Sequence, residues 1–298
     1  LFLKIKNGLA KIVSPHIILK SFRKLKQYGI LIKFKMNLKK LLKIAINASI
    51  EGGQEIIKVY ETEFEVEQKS DHTPLTLADK NCNKVIEDFL LKTNIPILSE
   101  EGNKVSYSER KKWEYFWLVD PLDGTKEFVK RNGEFTVNIA LIHNRSPIMG
   151  VIFVPVDNVL YYAMEGLGSF KINRSKIINN LDSLILDSKK LPLDDKRASF
   201  VVVGSRSHMS SETEVFFENK KKEYGDIEVM AIGSSLKICM VAEGKADAYP
   251  RYAPTMEWDT GAGHAIAKMA GFSVLQYNTE KEVVYNKKDL LNPWFLVE

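Results

Sequence analysis

The sequence predicts an α+β fold built in layers, and three observations carry that prediction. Two early segments, 37–60 and 75–91, place apolar or small residues three and four apart, the spacing of helices with one buried face. From Phe135 to Lys171 the pattern changes to strand-like runs with period-two alternation at Val137, Ile139 and Leu141, which suits a half-buried antiparallel sheet. With 298 residues and 45% apolar composition the chain can bury a substantial core. Helices that precede a sheet, with further strands and helices behind it, give layers rather than an alternating parallel wind.

Residues 1–35 differ from the rest. They hold nine Lys/Arg and no Asp or Glu, so of the 43 basic residues 34 remain for the body against 38 acidic ones. The net charge of +5 therefore sits in the leader, the body is net negative, and a general nucleic-acid surface is not expected. The orderly pattern begins at Met36. The favoured reading is that translation starts there and the leader is an artefact of start-site choice; a basic amphipathic segment on a membrane surface and a targeting peptide are the other two readings. No apolar run approaches the roughly 20 residues that span a bilayer, so the expected location is cytoplasmic, with peripheral membrane contact through the leader left open. Cys82 and Cys239 lie within apolar helical patterns and read as buried free thiols.

In order, Leu38, Leu41, Ala45, Ala48, Gly52, Ile56 and Val59 define the first helix, with Gly52-Gly53 allowing a close neighbour. Thr62–Glu67 reads as a short strand. Thr73 is expected to cap a second helix with Pro74 at its first position, running to about Leu91. Ile95–Leu98 is a short buried strand that ends on Ser99-Glu100-Glu101-Gly102, and Tyr115–Val119 a second that ends on Asp120, where Pro121 is expected to break it. Strands follow at 135–142, 147–155, 159–164 and 169–171. Residues 173–198 are polar and irregular and mark a boundary between an N-terminal lobe (36–180) and a C-terminal lobe (181–298). In the latter, strands are expected at 199–204, 227–232 and 246–249, and helices at 212–224, from Gly233-Ser234-Ser235 to about Glu243, and from Asp259 to a stop at Gly271.

Trp117-Leu-Val-Asp120-Pro-Leu-Asp123-Gly-Thr125-Lys-Glu127 is the richest stretch chemically. Asp120 and Asp123 stand three apart across a turn, and with the Leu122 carbonyl they offer hard oxygen donors suited to Mg2+. The helix opening at Gly124-Thr125 offers N–H groups and a hydroxyl to a phosphate. The bland reading is a Pro-containing turn and nothing more. An aspartyl-nucleophile phosphatase has one residue between its aspartates, whereas Pro121 and Leu122 both intervene here, and no phosphate-binding P-loop occurs. Glu100 at a strand end reads as a ligand or as solvated loop, Asp79 as a functional acid or as a capping partner of Thr76, and Asp259 as a ligand or as a dipole-favoured first-turn acid. Ser205-Arg206-Ser207-His208 and Gly233-Ser-Ser-Leu-Lys237 are further anion-binding candidates.

Asp79, Glu100, Asp120-Pro-Leu-Asp123-Gly-Thr125 and Trp258-Asp259, in this order, resemble the inositol-monophosphatase-like family of lithium-sensitive, Mg2+-dependent phosphatases, from about Asn37 to Leu296. Lys-Arg-Asn-Gly-Glu134, Ser205-Arg-Ser-His208, Gly233-Ser-Ser-Leu-Lys237 and Tyr249-Pro-Arg251 are similar to its bacterial 3'(2'),5'-bisphosphate nucleotidase branch. The resemblance implies the α-β-α-β-α layered sandwich of that family. It also implies hydrolysis of adenosine 3',5'-bisphosphate to AMP and phosphate, with 3'-phosphoadenylyl sulfate as a second substrate. It assigns one Mg2+ to Glu100, Asp120 and the Leu122 carbonyl and another to Asp120, Asp123 and Asp259. Asp79, Glu100 and Thr125 form the implied catalytic set, in which Thr125, supported by Asp79, handles the attacking water. Leu122, Asp123, Gly124, Thr125 and Asp259 would surround the scissile phosphate, and Arg206, His208, Gly233, Lys237 and Arg251 are the candidates for the rest of the substrate. Gly261 departs from the branch, where Ala is commoner, and should affect helix packing more than ligation. An inositol- or sugar-phosphate monoesterase and a catalytically silent metal- or nucleotide-binding module are the competing functions; oligomeric state is left open.

Overall fold

The structure is a computed structural model that describes residues 36–62, 66–68, 74–174, 176–193, 197–204 and 210–298, so the leader and the Ser205–His208 segment lie outside the described residues. Residues Leu38–Glu298 form one compact unit. The first helix, α1 (Leu38–Tyr60), buries Leu41, Ala45, Ala48, Gly52, Ile56 and Val59 on the expected face, and Leu42, Ile46 and Ile50 beside it, a wider buried surface than the sequence pattern marked. Its Gly52-Gly53 pair serves close approach: a Cβ at Gly52 would lie 2.8 Å from the Cys82 sulfur, and one at Gly53 would lie 2.5 Å from the Phe153 ring.

The second helix, α2, spans Leu77–Leu90 and packs along α1. It does not begin at Pro74. Pro74–Thr76 is instead a strand (β2) paired antiparallel with β1 (Val66–Gln68). Pro74 is the first residue of that strand, a place where the missing N–H is tolerated. A helix-start signal thus lost to a ladder with a nearby strand.

A seven-stranded sheet follows, in the order β3 (Ile97–Ser99), β4 (Tyr115–Asp123), β5 (Thr136–His143), β6 (Ser146–Val154), β7 (Val159–Met164), β8 (Gly168–Asn173) and β9 (Lys189–Lys190). The pair β3–β4 is parallel and all others are antiparallel. A short helix, α3 (Tyr107–Arg110), lies between β3 and β4, and α4 (Thr125–Val129) follows β4. The expectation of a half-buried sheet fails, because β5 is buried at every position from Thr136 to Ile142. One face carries α1, and the other carries α8 (Glu257–Ala270), which crosses β4 to β8. Helices on both faces leave no wet face. Nor does Pro121 end β4. The strand continues to Asp123 with a slip in register, Asp120 facing Asn138 and Asp123 facing Thr136, so three steps on β4 match two on β5. Without an N–H, Pro121 cannot keep the ladder, and the chain bulges rather than stops.

The polar stretch after β8 is less irregular than its composition indicates: α5 (Leu181–Asp187) is capped by the Asn180 side chain, which accepts from the Asp182 and Ser183 N–H groups. Beyond it, β10 (Phe200–Gly204) pairs parallel with β11 (Ile227–Ala231), α6 (Ser211–Tyr224) connects them, and α7 (Leu236–Ala242) leads on. The next strand, β12, spans Tyr249–Arg251, later than expected and with Pro250 inside it. It joins β14 (Phe295–Val297) and β13 (Val274–Gln276) in a three-stranded sheet, and a bridge between Val202 and Ala248 links this sheet to β10. The layers are the α1/α2 pair, the large sheet, the α7/α8 pair, the second group of strands, and α6, which packs on β11 and β12. This is the five-layer α-β-α-β-α order.

Candidate metal and phosphate site

Parallel pairing of β3 and β4 sets Ser99 beside Val119, and the Glu100 N–H donates to the Val119 carbonyl (3.1 Å). Glu100 and Asp120, the next residues along, therefore stand at the adjoining carboxyl ends of two parallel strands, where open sheets gather their ligands. At the bulge Asp120 Oδ1 accepts the Leu122 N–H (3.1 Å), an Asx turn that curls the chain toward Asp123. Gly124 then takes φ +95°, a left-handed conformation that requires glycine, and its carbonyl receives the Phe128 N–H at 2.9 Å as α4 starts. Thr125 opens that helix with its hydroxyl 3.5 Å from the Leu122 carbonyl. Asp259 arrives from the other side of the sheet as the third residue of α8, with Oδ2 accepting the Met256 N–H (2.9 Å). That bond caps the first turn of α8, in keeping with a first-turn acid.

One oxygen from each of Glu100, Asp120 and Asp259 lies within 4.8 Å of the others. Asp79, buried in the first turn of α2, and Asp123 add their charges to the same region. Burial, then Glu100, Asp123, Asp259 and Asp79, push the Asp120 carboxyl well above the usual carboxylate range. Burial and Asp123 raise Asp259 to about 8, against the opposing effects of the Met256 N–H and Arg251. Like charges packed this closely and withdrawn from water repel strongly, and hard carboxylate oxygens around a common point are the donor set of a divalent cation. The residues fit such an ion.

Beside the carboxylates opens a cavity of about 430 Å³, into which Asp123, Gly124, Lys237, Arg251 and Asp259 all project their surfaces. Lys237 Nζ is fixed on the Ser234 carbonyl (2.9 Å), and burial draws its pKa down while Asp123 opposes that shift. Arg251 donates to the Pro254 carbonyl (3.0 Å). Gly233 sits differently from the role expected of it: its N–H donates to Glu134 Oε2 (2.8 Å), so it is spent on the protein. Arg206 and His208 lie outside the described residues. Among the lining residues, Lys126 and Glu127 from α4 and Lys130 just after it escaped the sequence reading. So did Asn138, whose amide donates to Ser235 (2.8 Å). Ser235, read only as part of an anion-binding Gly/Ser turn, sets its hydroxyl 2.6 Å from Asp123 Oδ2. The available signal was a pair of polar residues, Thr136 and Asn138, inside an otherwise apolar strand.

The model of the inositol monophosphatase family matches residues 37–294. The chain belongs to that family. Within it, the chain is 42% identical over 250 residues to the 3'(2'),5'-bisphosphate nucleotidase CysQ of Escherichia coli K12, covering 83% of this chain and 94% of the relative. Identity to CysQ of Salmonella typhimurium is 41%, with 87% and 98% covered. Among solved structures, CysQ of Bacteroides thetaiotaomicron superposes with a TM-score of 0.82 at 49% identity, covering 88% of this chain and 98% of that one. Inositol monophosphatase of Anabaena shares the fold at TM-score 0.64 and 23% identity.

Proposed function

We propose that this chain is a Mg2+-dependent 3'(2'),5'-bisphosphate nucleotidase, hydrolysing adenosine 3',5'-bisphosphate to AMP and phosphate and able to take 3'-phosphoadenylyl sulfate in the same site. The observation that carries the reading is the buried carboxylate cluster beside a cavity that also holds Lys237 and Arg251. The first group suits a divalent ion and the second an anionic group lying away from it, as a substrate with two phosphates requires. The similarity to CysQ proteins supports the same substrate class.

In this reading Glu100, Asp120 and the Leu122 carbonyl would hold one Mg2+, and Asp120, Asp123 and Asp259 would hold a second. Bound there, the ions supply positive charge against the phosphate oxygens and make a water acidic enough to attack near neutral pH. The chain's own groups do the rest. Thr125 orients the attacking water and relays its proton, accepting one as it gives its own to the Asp79 carboxylate, which takes it up, and Glu100 shares in that set. The N–H groups of Gly124 and Thr125 hold the scissile phosphate at the start of α4. Lys237 and Arg251 hold the other phosphate, and the cavity walls fix the nucleotide for in-line attack.

Phosphate release from adenosine 3',5'-bisphosphate and from inositol 1-phosphate, measured side by side with Mg2+, tests this. Strong preference for the nucleotide is expected, with Asp120→Asn reducing activity at least 10²-fold. Preference for inositol phosphate would keep the metals and discard the nucleotide assignment; silence on both would leave a binding role.

A further inference from the structure

Asp123 does not stand alone at the rim of the carboxylate cluster. Its Oδ2 meets the Ser235 hydroxyl at 2.6 Å, and the same hydroxyl lies 2.8 Å from the Asp259 carbonyl. Ser235 in turn receives the Asn138 amide (2.8 Å), and the Asn138 carbonyl accepts the Thr136 hydroxyl (3.0 Å). All three polar residues are buried. The direction of this chain is forced. A carboxylate and a main-chain carbonyl both accept here, so the single Ser235 proton is shared between them, and Asn138 must therefore present its NH2 rather than its oxygen. That leaves Asn138 Oδ1 to take the Thr136 proton.

Two local features set the arrangement apart from ordinary satisfaction of buried groups. Ser235 occupies the N-cap of α7, where a serine hydroxyl normally accepts a helix N–H, yet it makes no such bond and turns to Asp123 instead. Thr136 and Asn138 are the two β5 residues that face Asp123 and Asp120 across the bulge. Polar side chains are costly in a strand buried on both faces unless their bonds are used.

We propose that Thr136, Asn138 and Ser235 are positioning residues that orient the Asp123 carboxylate and tie it to the backbone of α8 at Asp259, so that ligands from β4 and from α8 keep a common geometry for the divalent ion. This rests on the reading of Asp123 and Asp259 as metal ligands. Partners that orient a ligand commonly account for 10- to 100-fold in metal affinity.

Titration of the full chain with Mn2+, followed by the electron paramagnetic resonance of the free ion, reads this without any substrate. Ser235→Ala and Asn138→Ala are each expected to weaken Mn2+ binding about tenfold or more at one class of site, with Ser235→Thr restoring it, and circular dichroism verifies folding. A lowered unfolding temperature with Mn2+ affinity unchanged in both alanine variants, while Asp123→Asn weakens it, would overturn the positioning role. Wild-type binding by Asp123→Asn as well would overturn the ligand reading and this proposal with it.

Discussion

Gly261, in the first half of α8, shows how little space a single residue can leave. A Cβ there would lie 2.8 Å from Leu118 Cδ2 and 3.3 Å from the Ala140 Cβ, both in the large sheet. Alanine is a better helix former by about 1 kcal/mol, but overpacking a filled core costs about 1–3 kcal/mol. Gly261→Ala is therefore expected to lower stability by about 1 kcal/mol in urea titrations while leaving the Mn2+ titration unchanged, and a stabilised variant would show that Leu118 moves freely. The same scale explains which site residues could be read from the sequence. Asp120, Asp123 and Glu100 stand at a spacing and at strand ends that suit ligands before any fold is known, whereas Asp259 alone reads as a first-turn helix acid and joins them only through the set of motifs. Ser235 looked like part of a Gly/Ser turn, and Asn138 like one polar letter in an apolar run; their roles exist only through side chains 97 residues apart in sequence. Gly233 looked like an anion donor, and nothing local revealed that Glu134 takes its N–H.

At the scale of elements, strands and helices with strong periodicity were legible, and those decided by pairing with another strand were not. Pro74–Thr76 obeyed its pairing with β1 rather than the helix-start rule, β4 bulged past Pro121, and the short strands β13 and β14 carried no pattern strong enough to find. The helix α8 also holds a pH-sensitive group. His264 is fully buried on it, its Nδ1 3.0 Å from the Tyr285 hydroxyl, and burial, helped by the Lys268 charge, lowers its pKa to about 3. A base depressed on folding favours the neutral form in the native state. It contributes stability that is complete above about pH 6.5 and is lost as pH falls toward 3. Between pH 7 and 4.5 the loss is about 2–3 kcal/mol. His264→Gln keeps an amide partner for Tyr285 and cannot titrate, so its urea midpoint is expected to fall less over that interval. Equal falls would show that His264 stays neutral for another reason or takes no part in acid unfolding.

The whole molecule is organised so that the clustered carboxylates come from the large sheet and from a helix packed on it: Glu100 and Asp120 from β3 and β4, Asp259 from α8, nearly 140 residues later in the chain. The five layers were legible as an order of helices and strands, but their closure on one another was not, since it depends on α8 crossing the sheet at Gly150, where a Cβ would lie 2.2 Å from the Ala262 carbonyl. Bringing those carboxylates together opposes folding, because burial and neighbouring carboxylates raise both Asp120 and Asp259. A divalent ion that binds only the folded chain offsets this by mass action, about 2.7 kcal/mol at a concentration one hundred times its Kd. Mg2+ is therefore expected to raise the unfolding temperature of the wild type by several degrees. Asp120→Asn removes one of the crowded charges and should unfold at a higher temperature than the wild type without metal, while losing most of the increment with it. Calorimetric scans with Mg2+ and with a chelator separate the two effects. If the variant is instead less stable in the chelator, the Asn amide has met a cost in that buried position larger than the repulsion it relieved, and the carboxylate cluster is less strained than its charges and burial indicate.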